Sequence, residues 1–169
     1  MVVVPKDVTS GLTQNYLRQL LDYNPDTGIF RWSKNICRPR CTPGAVAGCL
    51  RPDKRWMIRI DGILYNAHRL AWIYMTGVSP SNEIDHINRV RNDNRWCNLR
   101  EATRSQNQLN VPRQNATGFM RVDYINGRYR ARVRIDGKSK HLCMRDTAEE
   151  ANAAAAAVMK QLYGDFVVV

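Results

Sequence analysis

The sequence of 169 residues has little negative charge and no long apolar run. Lys and Arg number 26 against 15 Asp and Glu, which gives a net charge of +11 and a pI near 9.9. Such a field attracts polyanions and speeds their encounter with the protein. No apolar run approaches the ~20 residues of a membrane-spanning helix, and Val2-Val3-Val4-Pro5 is too short for the core of a secretory signal. We therefore expect a soluble protein inside the cell, with nucleic acid rather than a membrane as its partner.

Cysteine is scarce and irregularly spaced. The cysteines are odd in number and lack the paired spacing of a zinc ribbon; they are Cys37, Cys41, Cys49, Cys97 and Cys143. Thiols inside a cell stay reduced. The sequence therefore predicts isolated thiols rather than a disulfide framework or a structural zinc site.

The first quarter of the chain predicts a helix, a turn, a short strand and a loop. Apolar residues recur at helical spacing over residues 13–22, and Thr13 is placed to cap the helix. Pro25-Asp26-Thr27-Gly28 is a turn, and residues 29–32 are typical of a short strand. Residues 33–52 are rich in proline and glycine, which favours a long loop.

Two further elements follow this loop. Residues 56–60 and 63–66 flank Asp61-Gly62, which predicts a tight β-hairpin because this dipeptide favours the required left-handed backbone. A helix is expected over residues 68–76, ended by Gly77.

The C-terminal third predicts a small sheet and one helix. Asn126-Gly127 and Asp136-Gly137 are hairpin turns between runs of β-prone residues. They predict an antiparallel meander of three strands, at about 119–125, 128–135 and 138–144. Thr147-Ala148-Glu149-Glu150 matches a capping box, so a helix should begin there and end at Gly164.

The middle strand of this meander carries arginine at every second position. The four residues are Arg128, Arg130, Arg132 and Arg134. Side chains of a strand alternate between its two faces, so all four should share one face while the apolar residues between them face the helix. Other residues of the same sheet are Arg121, Lys138, Lys140, His141 and Arg145. A solvated strand face is one interpretation; we expect nucleic-acid contact, because arginine can bind guanine in the major groove.

Residues 118–166 resemble the plant ethylene-response-factor type of DNA-binding domain. The resemblance rests on Gly118-Phe119, Gly127-Arg128-Tyr129-Arg130-Ala131, Leu142 and Thr147-Ala148-Glu149-Glu150-Ala151. It implies three strands and one packed helix, with the sheet in the DNA major groove. It also implies that the side chains facing DNA are those of Arg121, Arg128, Arg130, Arg132 and Arg134.

The central segment places a carboxylate beside an imidazole in Ile84-Asp85-His86. Asp85 is a hard oxygen ligand suited to Mg²⁺, and a neutral imidazole at His86 can take a proton from water. Asn98-Leu99-Arg100 follows and leads into a helix expected near Thr103, which carries Asn107. An Asp-His pair followed by asparagines is also common in ordinary polar loops. In a strongly basic protein, the pattern favours hydrolysis of a phosphodiester.

Residues 68–110 resemble the HNH nuclease family, in the subgroup of phage and intron homing endonucleases. The matching motifs are Ala67-His68-Arg69-Leu70-Ala71-Trp72, Ile84-Asp85-His86-Ile87-Asn88, Asn98-Leu99-Arg100-Glu101-Ala102-Thr103 and Gln106-Asn107. Residues 23–32 are similar to the leader segment of phage HNH proteins, so the resemblance extends over about residues 13–110.

The resemblance implies a β-hairpin and a helix around one divalent metal, the ββα-metal motif. By position, Asp85 and Asn107 would be metal ligands, His86 the general base, and Asn98 the residue that braces the loop aiming His86. Many HNH enzymes have histidine at the two metal-ligand positions that Asp85 and Asn107 hold here. Asp and Asn there suit Mg²⁺ or Mn²⁺ better than zinc.

Basic side chains beside this site are candidates for DNA contact. They are His68 and Arg69 at the start of the second helix, and Arg89, Arg91 and Arg95 in the turn of the expected hairpin. His68 could instead be a packing residue, and the turn could simply be solvated.

These observations predict an α+β protein of modular construction. A strand-rich N-terminal segment (1–67) and a C-terminal DNA-binding domain (118–169) would hold duplex DNA. A central HNH domain (68–110) would cut it, and residues 111–117 would link the two.

The resulting hypothesis is a homing-type endonuclease that hydrolyses a phosphodiester of double-stranded DNA to leave 5′-phosphate and 3′-hydroxyl ends. We expect a monomer, although a dimer is possible, and a monomer would nick one strand. Its place would be the cytoplasm or nucleoid of a bacterial or phage-infected cell. One alternative is a catalytically inactive DNA-binding regulator. Another, an RNA-binding module, is disfavoured because the basic sheet lacks exposed stacking aromatics.

Overall fold

The computed structural model describes residues 12–33, 41–110, 116–135 and 138–166, with the backbone alone at residue 165. The protein is a mixed α and β structure with small antiparallel sheets. It divides into two compact units between Thr103 and Arg104. No helix within the described ranges is long and apolar enough to cross a membrane. The predicted turn Asp136-Gly137 and the thiol of Cys37 lie outside the described residues.

The first unit begins with helix α1, Gln14–Leu20, followed by a small hairpin of β1, Leu21–Asn24, and β2, Ile29–Trp32. The Thr13 hydroxyl accepts a hydrogen bond from the backbone N–H of Tyr16, which caps α1 as predicted. The helix ends earlier than its apolar spacing suggested. Leu21 is extended and pairs with Trp32 in the hairpin. Residues 21 and 22, which the helical spacing placed in α1, therefore belong to strand β1.

A second sheet contains β3, Cys49–Leu50, β4, Trp56–Ile60, and β5, Ile63–Asn66, in that order. The turn Asp61-Gly62 has positive φ at both residues, 50° and 82°, which confirms the predicted hairpin. Strand β3 lies in the segment that was predicted to be loop. Its two residues pair with β4, although the sequence of this segment has no strand periodicity.

Helix α2, Ala67–Thr76, follows directly and ends at Gly77 in the left-handed conformation, as predicted. Strands β6, Glu83–His86, and β7, Leu99–Ala102, then pair as an antiparallel hairpin. A 3₁₀ turn, Trp96–Asn98, leads into β7. This hairpin carries Asp85 and His86.

One apolar core holds the first unit together. Its largest fully buried side chains come from α1, β1, β2, β4 and α2, and Ile84 and Leu99 of the β6–β7 hairpin join them. The predicted boundary between residues 1–67 and 68–110 therefore does not separate two cores. The N-terminal segment and the hairpin bury their apolar residues against each other.

The turn between β1 and β2 packs closely against the loop that precedes β7. The Pro25 carbonyl accepts a hydrogen bond from the Trp96 N–H at 2.9 Å. The Tyr23 hydroxyl donates to the Asn94 carbonyl at 2.7 Å, and burial raises the pKa of this phenol so that it stays a donor. Gly28 has φ +71°, and a Cβ there would lie 2.4 Å from the backbone of both Asn94 and Arg95. Only glycine fits this approach.

The second unit contains helix α3, Arg104–Leu109, a sheet of β8, Val122–Ile125, β9, Arg128–Ile135, and β10, Lys138–Arg145, and helix α4, Ala148–Tyr163. The strand order is β10-β9-β8, which confirms the predicted meander. The Thr147 hydroxyl caps α4 by accepting from the Glu150 N–H. Alanines of α4 pack on Val122, Ala131 and Val133, because small side chains let the helix lie close to the sheet.

Helix α3 had been expected to complete the nuclease motif with the β6–β7 hairpin. It falls in the second unit, so the complete ββα-metal arrangement stays a prediction. Of the predicted linker 111–117, residues 111–115 lie outside the described part of the chain.

The close packing at Gly28 gives a test of the first unit. We expect Gly28→Ala to lower the free energy of unfolding by at least about 3 kcal/mol, because strain from positive φ adds to a backbone clash. Gly62→Ala is the matched control, since Gly62 also has positive φ but meets nothing within 4 Å; it should cost about 1–2 kcal/mol. Urea unfolding measures both. Equal losses would contradict the close approach of the turn to Asn94.

Candidate functional site

The β6–β7 hairpin buries both Asp85 and His86. Their exposed fractions are 6% and 7%, and they stand opposite Arg100 and Leu99 in the register. Ionisable groups are rarely buried unless they have polar partners. The contacts of these two side chains therefore determine what the site can do.

Arg100 is the partner of Asp85. Its Nε and Nη2 atoms lie 3.0 Å and 2.9 Å from the same carboxylate oxygen, Oδ2. Both side chains are largely buried, with 13% of Arg100 and 7% of Asp85 exposed. The sequence motif that contains Arg100 assigned this residue no role. Its position opposite Asp85 depends on the hairpin register, which cannot be read from the sequence.

Asn94 is the partner of His86. The imidazole Nε2 lies 3.1 Å from the Asn94 Oδ1, and the other end of this amide donates from Nδ2 to the Asn92 carbonyl. With Oδ1 toward the ring, Nε2 must be the protonated nitrogen, and in the neutral ring Nδ1 then holds the basic lone pair. Sequence analysis missed Asn94, although its position in the polar run Asn92-Asp93-Asn94 was visible.

The pKa of His86 is lowered from its ordinary value. Burial is the main cause, while the hydrogen bond to Asn94 and the nearby Asp85 charge act in the opposite direction. A lowered pKa keeps the imidazole neutral at cellular pH, and only the neutral form can accept a proton.

His68 packs against His86, with ring centroids 5.0 Å apart in an edge-to-face arrangement. Burial, followed by the electrostatic effects of His86, Arg55 and Arg69, lowers the pKa of His68 to about 3. The ring is therefore neutral at cellular pH. The half-buried, neutral ring favours the packing interpretation of His68, and its contact with DNA stays a prediction.

Asn98 holds the loop between β6 and β7. Its Oδ1 accepts from the Asn88 N–H, and its Nδ2 donates to the Asn88 side chain and to the Asp93 carbonyl, at 2.7–2.9 Å. Asp93 also bonds Arg95, and this contact holds the pKa of its carboxyl down at about 2. The loop that contains Asn94 is thus fixed at both ends.

The other basic residues predicted near the site have separate positions. Arg69 is half-buried, and its Nη1 lies 3.5 Å from the Asn82 carbonyl. Arg89 is exposed in a turn with φ +64°, and the exposed Arg91 lies 3.5 Å from the Asp53 carbonyl. Arg55 was not predicted, but its charge acts on both His68 and His86, which places a cation near the two rings.

Asn107, the second predicted metal ligand, lies half-buried in α3 of the second unit. Its pairing with Asp85 at a metal stays a prediction from the resemblance. In the described ranges, no three His, Cys, Asp or Glu side chains come together as a metal-binding group.

The second unit presents the arginines on one face of its sheet. Val133 and Ala131 are buried beneath α4, and Arg128, Arg132 and Arg134 between and beside them are exposed. Asp123 of β8 accepts from both Arg130 and Arg132 at 2.9 Å. The repulsion expected between neighbouring arginines is therefore partly relieved within the sheet itself.

Lys138 and Lys140 do not share the arginine face. They pair with Ile135 and Val133, and directly opposed residues of an antiparallel pair point to the same side of a sheet. Both lysines therefore lie on the helix side, exposed, and their contact with DNA stays a prediction. His141 pairs with Arg132 and does share the arginine face.

Arg121 stands across from Arg132, whose N–H donates to the Arg121 carbonyl. Its Nη2 is buried without a hydrogen-bond partner, and burial lowers the pKa of this guanidinium. A buried N–H group without a partner is costly.

Residues 65–109 match the family model described as HNH endonuclease. The matched segment contains Asp85, His86, Asn98 and Asn107, and an HNH domain indicates nuclease activity on DNA. Comparison with curated proteins and with solved structures gave no match. The resemblance of the second unit to the ethylene-response-factor domain stays a prediction, as does the homing subgroup.

The burial of His68 gives a test by pH. An unfolded histidine titrates near 6.5 and the folded one at about 3, so the unfolded state takes up the proton first and stability falls as pH drops below 6.5. Between pH 7 and pH 5, we expect His68→Gln to lose about 2 kcal/mol less stability than the parent. Urea unfolding measures this difference. An NMR titration in which the His68 ring protonates near 6.5 would contradict it.

Proposed function

We propose that this protein is a metal-dependent endonuclease of the homing type that hydrolyses a phosphodiester of double-stranded DNA. The observation that carries the proposal is the buried His86, oriented by Asn94 and set beside the buried carboxylate of Asp85. The HNH match over residues 65–109 supports the reaction class.

The chemistry assigned to His86 is general-base catalysis. Its Nδ1 would take the proton of the attacking water. The Nε2–H group would stay hydrogen-bonded to the Asn94 Oδ1, which keeps the ring from rotating. The lowered pKa of His86 keeps this base unprotonated at neutral pH. Asn98 contributes by holding the loop that carries Asn94.

Asp85 is the proposed protein ligand for one Mg²⁺ or Mn²⁺ ion. Its buried carboxylate is a hard oxygen donor, and ions of this kind are often held by one or two carboxylates plus substrate phosphates. When bound, the ion would supply charge stabilisation at phosphorus and at the leaving oxygen. Asn107 is proposed as the second ligand from the family resemblance.

The second unit is proposed to dock the DNA. Its arginine face provides exposed guanidinium groups on one side of a narrow sheet, and such sheets can enter the major groove. Arg121 is proposed as a further DNA contact from the family resemblance. Within the described strands of this sheet, the only strongly exposed aromatic side chain is Tyr124. Tyr124 lies two residues after the buried Val122 on the same strand, so both point to the helix side. This favours duplex DNA over stacked single strands.

We propose nicking of one strand by a monomer, with 5′-phosphate and 3′-hydroxyl products. A second candidate function is a DNA-binding regulator with an inactive centre. The ion pair favours this alternative, because Arg100 already neutralises the carboxylate that a metal would use.

A plasmid assay separates the two. With Mg²⁺ or Mn²⁺, the protein should convert supercoiled DNA to the nicked circle, and His86→Ala should slow this by about 10²–10⁴-fold because the general base is lost. Asn94→Ala should have a smaller effect of the same kind, lowering kcat with little change in KM, since it frees the ring without removing it.

His86→Ala should melt below the parent, because loss of the buried ring leaves a cavity. It should still unfold cooperatively and retain DNA affinity, which excludes loss of folding as the cause. If the parent protein nicks no DNA with any divalent metal, the enzyme proposal fails and the regulator remains.

DNA docking by the second unit has its own test. Arg130→Ala and Arg132→Ala should weaken binding, and each should reduce the slope of log affinity against log salt by about 1, if the residue contacts a phosphate. Arg145→Ala is the matched control because Arg145 pairs with Tyr129 on the helix side of the same sheet. Equal effects of all three would contradict docking through the arginine face.

A further inference from the structure

The ion pair between Arg100 and Asp85 bears on how the site acquires its metal. Two nitrogens of one guanidinium bind a single oxygen of Asp85, at 3.0 Å and 2.9 Å. Both side chains are nearly enclosed, so water screens the contact little. The positive charge of Arg100 thus lies against the carboxylate that a divalent cation would bind.

A divalent cation would bind the same carboxylate that Arg100 holds. Breaking a buried ion pair from one side is strongly unfavourable, so Arg100 stabilises the buried Asp85 carboxylate. A divalent cation beside Asp85 would be repelled by a guanidinium that remained at Oδ2. Metal binding therefore requires Arg100 to release Asp85, and this release lowers the apparent metal affinity.

DNA offers the released guanidinium another partner. Arginine binds phosphate oxygens through two parallel N–H groups, as it binds carboxylates. Arg100 retains 13% exposure, and the neighbouring Asp85–His86 pair is the place where the proposed function puts the scissile phosphate. A phosphate there would compete with Asp85 for Arg100.

We propose that Arg100 is an electrostatic latch on Asp85: it holds the carboxylate in the metal-free protein and releases it to the metal when a DNA phosphate binds the guanidinium. The metal then binds weakly without DNA and more tightly with it. By linkage, the metal strengthens DNA binding by the same factor. The inference rests on the proposed function, and it makes metal loading dependent on substrate.

The test is Mn²⁺ affinity, measured by calorimetry on the full chain in a His86→Ala background so that DNA is not cut. Without DNA, Arg100→Gln should bind Mn²⁺ at least about tenfold more tightly than the parent. A short duplex should raise the parent's Mn²⁺ affinity by about 5–150-fold, and that of Arg100→Gln by clearly less. Arg59→Gln removes the same charge from an exposed strand position that contacts the Gly62 carbonyl, and it should change neither value.

Stability provides a second readout, because Arg100→Gln leaves Asp85 buried without its cation. The variant should melt below the parent in the absence of metal, and Mn²⁺ should raise its melting temperature more than that of the parent. Arg100→Lys keeps the charge without the paired N–H groups and should fall between the two. It also carries the test if Arg100→Gln does not fold.

The latch is overturned if neither Arg100 variant binds Mn²⁺ more tightly than the parent without DNA. Nicking by the unmodified protein at saturating Mn²⁺ is measured separately. If it nicks while the Arg100 variants show no gain in metal affinity, the latch alone fails. If metal affinity rises as expected but no DNA is nicked, the proposed nuclease fails and the competition for Asp85 stands.

Discussion

Burial of two ionisable side chains on one short hairpin is the constraint around which the first unit is organised. A carboxylate and an imidazole inside a protein need polar partners, or their desolvation is not offset. Asp85 finds Arg100 across the hairpin, and His86 finds Asn94 in the loop between the strands. The loop must therefore follow one path, and Asn98 fixes that path with three hydrogen bonds. The resulting rigidity is what a general base requires, since its lone pair must point at one place.

The N-terminal segment supports this loop from outside. Tyr23, Pro25 and Gly28 of the β1–β2 hairpin all contact residues 94–96, and the hairpin shares its apolar core with α2 and β6. The leader segment is therefore part of the scaffold of the candidate active site. A chain that began after it would lose both the core residues and the hydrogen bond that holds the Asn94 backbone.

The second unit meets a different electrostatic problem, because its sheet must carry several like charges on one face. Asp123 neutralises part of this charge by accepting from Arg130 and Arg132. Such exposed pairs stabilise a fold only slightly, but they restrict the rotamers of both arginines. The face is therefore compatible with folding in the absence of DNA, and it still presents arginine donors. The compensation is incomplete at the buried Nη2 of Arg121 and Nε of Arg130, which have no hydrogen-bond partner.

The sequence by itself determined the features that depend on local spacing. Asp61-Gly62 and Asn126-Gly127 predicted their hairpins because these residues accept positive φ, and the alternation of β9 predicted the arginine face because a strand has period two. The adjacency of Asp85 and His86 is likewise visible in the sequence without knowledge of the fold. Tertiary structure alone decided the partners: Arg100 on Asp85, Asn94 on His86, Tyr23 on the Asn94 backbone and Asp123 on two arginines. The register of β10 against β9 places Lys138 and Lys140 on the face opposite the arginines. These contacts join residues at irregular separations, and a buried polar group accepts whichever partner the packed chain brings within hydrogen-bond distance. No periodic signal records that choice.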